Sequence, residues 1–379
     1  MLNNVYITRS AKFLPNKAIS NDEMEDYLGQ INQLPSKARR VVLRNNGIIK
    51  RYYVVDKQQN IHYTNAELTA KAIGKLFDDQ VVMQDVQVLS VGTSTPDQLL
   101  PSHASMVHGL LKNPSVELNS SSGICCSGMN ALKFAYLSVL SGTAKNAVSS
   151  GSECVSPWML SKRFDQEIEN IKELDQQPII AFRKEFLRWM LSDGAAAFLL
   201  QNKPNENAIS LKIEWMQSYS YAHETEACMY AGAEKNEEGE LVPWQNYSNE
   251  DWLKKSIFSI KQDVKVLDEF ILVKGVESML DALRKHQISV DDIDYFLPHI
   301  SSMYFKDKLY DSFKNANFEI PFDKWFINLD KVGNVGAASI YLMVEELMNS
   351  GKLKIGDKIL LSVPESGRFS YAYAYLTVV

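Results

Sequence analysis

The sequence predicts a layered α/β protein made of two similar halves. Three observations predict it. Amphipathic helical stretches alternate with short apolar or β-branched runs along all 379 residues. Two stretches, far apart in the chain, repeat one order: small-residue helix start, about four helical turns, Ser-Gly stop, strand. No Pro/Ser-rich hinge or low-complexity linker divides the chain, so the halves must pack closely.

In the first half, taken as 1–205, Ala66 to Phe77 reads as a helix. It leads to Val86-Gln87-Val88-Leu89-Ser90-Val91 and the turn Gly92-Thr93-Ser94. Ser115 to Leu118 reads as a strand that feeds, through a Ser/Gly turn, a helix running from Cys126 to Ser141-Gly142. The strand Ala147-Val148-Ser149-Ser150 and Gly151-Ser152-Glu153 follow. Residues 155–191 read as an insertion rich in aromatics (Trp158, Phe164, Phe182, Phe186, Trp189), either a surface helix pair or the cap of an apolar pocket. Asp193 to Leu200 is a small-residue strand closing the half. In the second half, 206–379, Val276 to His286 reads as a helix leading to Ile293 to Leu297 and the tip Pro298-His299-Ile300-Ser301. Gly336-Ala337-Ala338-Ser339 starts the next helix, which stops at Ser350-Gly351. Lys358 to Val363 is the strand before Glu365-Ser366-Gly367.

Composition narrows the function. Forty basic against 46 acidic residues leave −6 at neutral pH, a poor balance for general nucleic-acid binding, which needs a broad positive surface. No run approaches the ~20 apolar residues of a membrane-spanning helix. The first residues lack a basic stretch followed by an apolar one, so no signal peptide is expected and a cytoplasmic location is. The four cysteines (Cys125, Cys126, Cys154, Cys228) contain no CxxC, which argues against a disulfide framework or a zinc site. No metal and no cofactor is expected.

Three residues are candidates for chemistry. Cys126 opens a helix, where the dipole and free amides favour a thiolate, and Gly123, Ser127 and Gly128 leave room beside it. A buried inert thiol is the competing reading. His299 follows an apolar strand, at the tip where open α/β sheets place their sites. Asn334 stands where a loop enters a helix, a place that also suits a simple N-cap. Together a thiol, an imidazole and an amide at strand and helix tips suit acyl-thioester chemistry. The thiolate takes an acyl group, and His and Asn donate to a thioester oxygen that gains charge as the α-carbon becomes a carbanion. The backbone amide of Gly367 is a candidate second donor for the acyl oxygen. Cys154, Cys228 and the other histidines carry no motif.

The chain resembles the β-ketoacyl-acyl-carrier-protein synthase III family of the thiolase superfamily. The matches are Phe13-Leu14-Pro15 with Asn21-Asp22-Glu23, Gly92-Thr93-Ser94-Thr95-Pro96-Asp97, Pro101-Ser102, Cys126-Ser127-Gly128, Gly151-Ser152-Glu153, Ser192-Asp193-Gly194-Ala195-Ala196, Pro298-His299, Gly333-Asn334 with Ala337-Ala338-Ser339, and Ser366-Gly367. They span nearly the whole chain in order. The resemblance implies a five-layered αβαβα thiolase fold with two pseudo-repeated halves, a homodimer, and a Cys126/His299/Asn334 triad. It also supplies the choice of Cys126 over Cys125. Three departures stand out. Ile300-Ser301-Ser302-Met303-Tyr304 replaces the family's Gln-Ala-Asn and following Arg. Val41 and Asn45-Asn46 replace the Trp and Arg-Thr that hold coenzyme A. Glu365 stands in the C-terminal glycine-rich loop. Within the family the chain is most similar to the dialkylresorcinol-forming ketosynthases, which implies joining a β-ketoacyl to a 2-enoyl thioester to give a dialkylcyclohexanedione. Two other readings remain open: a starter synthase extending an acyl group with a malonyl thioester, and a non-catalytic acyl-binding scaffold subunit.

The basic run Lys37, Arg39, Arg40, Arg44, Lys50 and Arg51 contains no acidic residue between its ends. It is a candidate dock for an acidic acyl carrier protein or a phosphopantetheine phosphate, or simply a solvated segment. Leu99, Leu100, Trp158 and Phe186 are candidate walls of an acyl pocket. The resemblance places Leu100 at a dimer interface, reaching the partner's tunnel. Glu365 is a candidate base or orienting group.

Overall fold

The computed structural model describes residues 2–33, 35–36, 39–79, 81–163 and 187–379. Among them nine strands form one mixed sheet. In chain order these are β1 (Tyr6–Phe13), β2 (Val88–Thr93), β3 (Glu117–Ser122), β4 (Asn146–Glu153), β5 (Gly194–Gln201), β6 (Leu211–Ser220), β7 (Tyr295–Pro298), β8 (Lys358–Glu365) and β9 (Ser370–Val378). Their order across the sheet is β7-β8-β9-β6-β1-β5-β4-β2-β3. The main helices are α1 (Arg39–Asn46), α2 (Asn65–Gly74), α3 (His103–Leu111), α4 (Cys126–Leu140), α5 (Val264–Lys285), α6 (Tyr304–Asn315) and α7 (Ser339–Met348).

The duplication read from the sequence is present in the pairing. β2 runs parallel to β4, β4 antiparallel to β5, and β5 antiparallel to β1. In the other half β7 runs parallel to β8, β8 antiparallel to β9, and β9 antiparallel to β6. The halves join where β1 pairs with β6 over only Tyr6 and Ile7 against Lys212 and Leu211. Three apolar cores follow. The central one holds α4 (Met129, Leu132, Ala135) and α7 (Tyr341, Leu342, Met343) between strands of both halves. One outer core packs α2 and α3 on the first half, and the other packs α5 and α6 on the second. Outer helices, sheet, buried helices, sheet and outer helices make the five layers of a thiolase fold.

The two central helices touch through small residues. A Cβ on Gly128 would lie 2.2 Å from the Ala337 carbonyl oxygen, and one on Gly151 2.3 Å from the same atom. The Tyr341 hydroxyl donates to the Gly128 carbonyl and pairs with Ser149. This is the physical reason for the small residues at both helix starts.

Some boundaries differ from the sequence reading. The helix expected from Val276 begins at Val264, because Asp263 caps it by accepting from the Lys265 and Val266 amides. The strand expected at 115–118 continues through the Ser run to Ser122 at the sheet edge, where pairing with β2 overrides weak strand propensity. Of the insertion, 164–186 lies outside the described residues. Met159, Leu160, Leu187 and Trp189 pack into the first-half core.

Candidate active site

Three chain segments meet at the C-terminal ends of the parallel strands. The first is the entry to α4, reached from β3 through Gly123, whose φ is +150°. The second follows β7: the His299 amide donates to the Ser362 carbonyl at 2.8 Å, continuing the β7–β8 pairing. The third is the loop before α7, turned by Gly333 at φ +73°. There the Asn334 amide donates to Met190 and its carbonyl accepts from Ser192. Asn334 Oδ1 accepts from the Gly336 amide at 3.0 Å, which leaves the side-chain NH2 as the donor end.

An apolar cavity that opens to solvent lies against all three. Cys125, His299 and Asn334 line it. Its walls extend along one face of α5 (Leu267, Ile271, Gly275, Met279) to Phe305 and Phe313 of α6. His299 is buried, and desolvation lowers its pKa to about 4, so at neutral pH it is an uncharged imidazole. Glu153 closes one side. Its carboxylate accepts from the Ser94 and Thr95 hydroxyls and from the Ala337 amide, tying β2, β4 and the Asn334 loop together. Burial raises its pKa, against the pull of those hydrogen bonds.

The cysteine pair divides. Cys125 caps α4 and touches the cavity. Cys126, the expected nucleophile, sits one residue deeper in the central core, its Sγ 3.3 Å from the Val363 carbonyl and 3.7 Å from that of Ser370. The expected thiolate at a helix N-terminus is not favoured in this arrangement. Burial first, and then the charge of Glu365, push both thiols well above their ordinary pKa. The reason is geometric: Glu365 Oε2 accepts from both the Ile124 and Cys126 amides at 2.9 Å, occupying the donors of the helix start. Gly367 stands beside it; a Cβ there would meet Ile124 at 3.1 Å and Glu365 at 3.3 Å.

Other candidates are placed elsewhere. Leu99 and Leu100 are 77% and 86% exposed, and neither they nor Trp158 line the cavity of this chain. Phe186 and Lys37 lie outside the described residues. Arg51 is fully buried, its guanidinium donating to Asn21 and to the Trp189 carbonyl, so it is a structural cation and not a docking one. Arg39 is mostly buried and bonded to Glu25. Arg40, Arg44 and Lys50 are exposed beside Val41 and Ile49. Cys154 and Cys228 are buried, as is His103, which pairs with Thr69 and Ser152. Two features were not assigned from the sequence. One is the tie made by Glu153, signalled by a carboxylate ending a run of small residues on a strand. The other is the α5 wall, whose ordinary helical pattern carries no such signal. No group of three or more metal-ligating side chains occurs among the described residues, and no described helix is long and apolar enough to cross a membrane.

The layered arrangement is that of a thiolase fold, and it brings the start of α4, His299 and Asn334 to one cavity. Comparison with known proteins agrees. Residues 283–375 match the model of the 3-oxoacyl-[acyl-carrier-protein] synthase III C-terminal family. The β-ketoacyl-[acyl-carrier-protein] synthase III of Rickettsia prowazekii is 24% identical over 363 residues, covering 95% of this chain and 96% of that protein. The Clostridium perfringens enzyme of that name is 25% identical, covering 92% of each. Among solved structures, the tetronic acid condensing enzyme AbyA1 is similar with a TM-score of 0.78 at 19% identity, covering 98% of this chain and 99% of that one. OleA of Xanthomonas campestris, solved with lauric acid and lauroyl-CoA, is similar with a TM-score of 0.72 at 18% identity over the full length of both. The chain is thus similar over nearly its whole length to β-ketoacyl-[acyl-carrier-protein] synthase III proteins and shares their fold.

Proposed function

We propose that this chain joins two acyl thioesters, a β-ketoacyl and a 2-enoyl group, into a 2,5-dialkylcyclohexane-1,3-dione. The observation that carries the reading is the cavity: a thiol-bearing helix start, His299 and Asn334 open onto an apolar channel long enough to line α5 and α6. In the first step a cysteine sulfur attacks the thioester carbonyl and expels the carrier thiol, which takes the proton. Neutral His299 and the Asn334 NH2 donate to the oxygen of the second thioester, stabilising the enolate formed when its α-carbon loses a proton. The carbanion at C2 of the β-ketoacyl group adds to C3 of the enoyl group. C4 of the ketoacyl group then attacks the enoyl thioester carbonyl and releases that thiol. Hydrolysis of the remaining thioester and loss of CO2 complete the dione.

Cys126 is the acyl acceptor by its Cys-Ser-Gly match, once its sulfur leaves the Val363 carbonyl. Cys125 is the second reading, favoured by its place on the cavity. The acyl donor is carried by an acyl carrier protein, consistent with exposed Arg40, Arg44 and Lys50. The end of α1 abuts the segment after His299, where the Met303 amide donates to the Asn46 carbonyl. A homodimer is supported by β3, whose outer edge is unpaired among the described residues, and by exposed Leu99, Leu100, Met106 and Leu110.

Intact mass tests the reading. The protein, Cys126→Ala and Cys125→Ala are incubated with acetyl, malonyl, medium-chain β-ketoacyl and 2-enoyl thioesters. An adduct with β-ketoacyl or 2-enoyl groups but not acetyl, lost in one cysteine variant, is expected. An acetyl adduct released by malonyl thioester would establish the starter synthase instead. Absence of any adduct would favour the scaffold.

A further inference from the structure

We propose that Glu365 is a positioning residue that holds the cysteine pair in a resting, protonated state by occupying the amides at the start of α4, and that the incoming thioester oxygen takes those amides as Glu365 withdraws. The inference rests on the acyl-enzyme reading above and deepens it. The geometry is specific. One carboxylate oxygen accepts at 2.9 Å from both the Ile124 and Cys126 amides, the donors that flank Cys125 and begin the helix. The partners shown for its carboxylate are those two amides. The carboxylate is carried at the end of β8, next to Ser366 and Gly367, and its neighbours Pro364 and Ser366 line the cavity. The site's best anion-binding position is therefore filled by the protein itself.

The consequence is a competition. While Glu365 is in place, its negative charge opposes ionisation of both thiols, and Cys126 spends its S–H on the Val363 carbonyl. When a thioester carbonyl enters, its oxygen becomes negative as sulfur attacks. The two amides are then worth more to that oxygen than to the carboxylate, which moves aside. The bond formed is sulfur to acyl carbon, the bond broken is acyl carbon to the carrier sulfur, and the thiol proton leaves with the carrier thiol.

The test is the pH profile of iodoacetamide alkylation, read residue by residue by peptide mass, in the wild type, Glu365→Gln and Glu365→Ala. Gln keeps the shape and the acceptor and removes the charge. Loss of the charge raises the thiolate fraction, and part of that gain is offset by the lower nucleophilicity of the more acidic thiol. Both variants are expected to alkylate at least about threefold faster at pH 7, with the profile displaced to lower pH. An unchanged profile, or one displaced upward, overturns the proposal. The wild type supplies a test that no folding defect can obscure: its cysteine pair must react more slowly at pH 7 than an unstructured cysteine peptide, and faster reaction also overturns the proposal. Thioester adducts are scored separately. A shifted alkylation profile without any adduct refutes the acyl-enzyme reading and leaves the role of Glu365 in thiol ionisation; adducts with an unshifted profile do the reverse.

Discussion

Replacing His299 with Gln removes a buried group whose folded pKa lies near 4, and the effect on stability can be worked out. An unfolded histidine titrates near 6.5, so between these values the unfolded chain binds more protons at this position than the folded one. Stability is then lost as pH falls through that window. Taking about 6.5 unfolded and about 4 folded, linkage gives a loss of roughly 2 kcal/mol from this residue between pH 7 and pH 5. His103, also lowered to about 4 by burial, adds a comparable loss that the variant retains. The assay is urea unfolding of the wild type and His299→Gln at both pH values. The wild type should lose roughly 2 kcal/mol more than the variant on acidification. The imidazole C2 proton resonance of His299 should also stay at its neutral position down to pH 5. Equal acid losses in the two proteins would refute the reasoning, and with it the neutral imidazole on which the hydrogen-bonding role depends.

Three further outcomes are expected. Gly151→Ala places a Cβ 2.3 Å from the Ala337 oxygen and should destabilise by about 1–3 kcal/mol in urea unfolding; a change below ~0.5 kcal/mol would mean the central layer is looser than described. Gly275→Leu, on the cavity wall against Tyr371, should cut acyl-adduct formation with long chains about tenfold or more while sparing short ones; a uniform loss would place the chain elsewhere. Arg40→Glu with Arg44→Glu should raise KM for carrier-bound substrate several-fold, most at low ionic strength, and leave a short thioester mimic unchanged. Equal effects on both substrates would remove the docking role.

Much of the architecture was legible because it is written in local patterns. Small residues at Ser127-Gly128 and Gly336-Ala337-Ala338, each opening a helix that stops at Ser-Gly, marked the duplication, and the pairing of the two halves repeats it. His299 and Asn334 were legible as polar residues at the tips of apolar runs, and both reach one cavity. The α5 start was missed by twelve residues although Val264, Leu267 and Ile271 keep helical spacing; the overlooked signal was the cap, Asp263. The edge strand β3 was shortened because a serine run reads as a turn until a neighbouring strand supplies its hydrogen bonds.

The sequence by itself determined the fold class and pointed to candidate residues at strand and helix tips, since hydrophobic period, caps and small-residue helix starts act over a few neighbouring positions. Only the tertiary structure decided which charges are free and which thiol faces what. Arg51 sits in a basic run like Arg40, yet it is buried against Trp189. Glu365 is 239 positions from Cys126 in the chain, yet it holds that residue's amide. Charge, burial and thiol ionisation depend on groups brought together across the sheet, and no local pattern encodes which partner arrives.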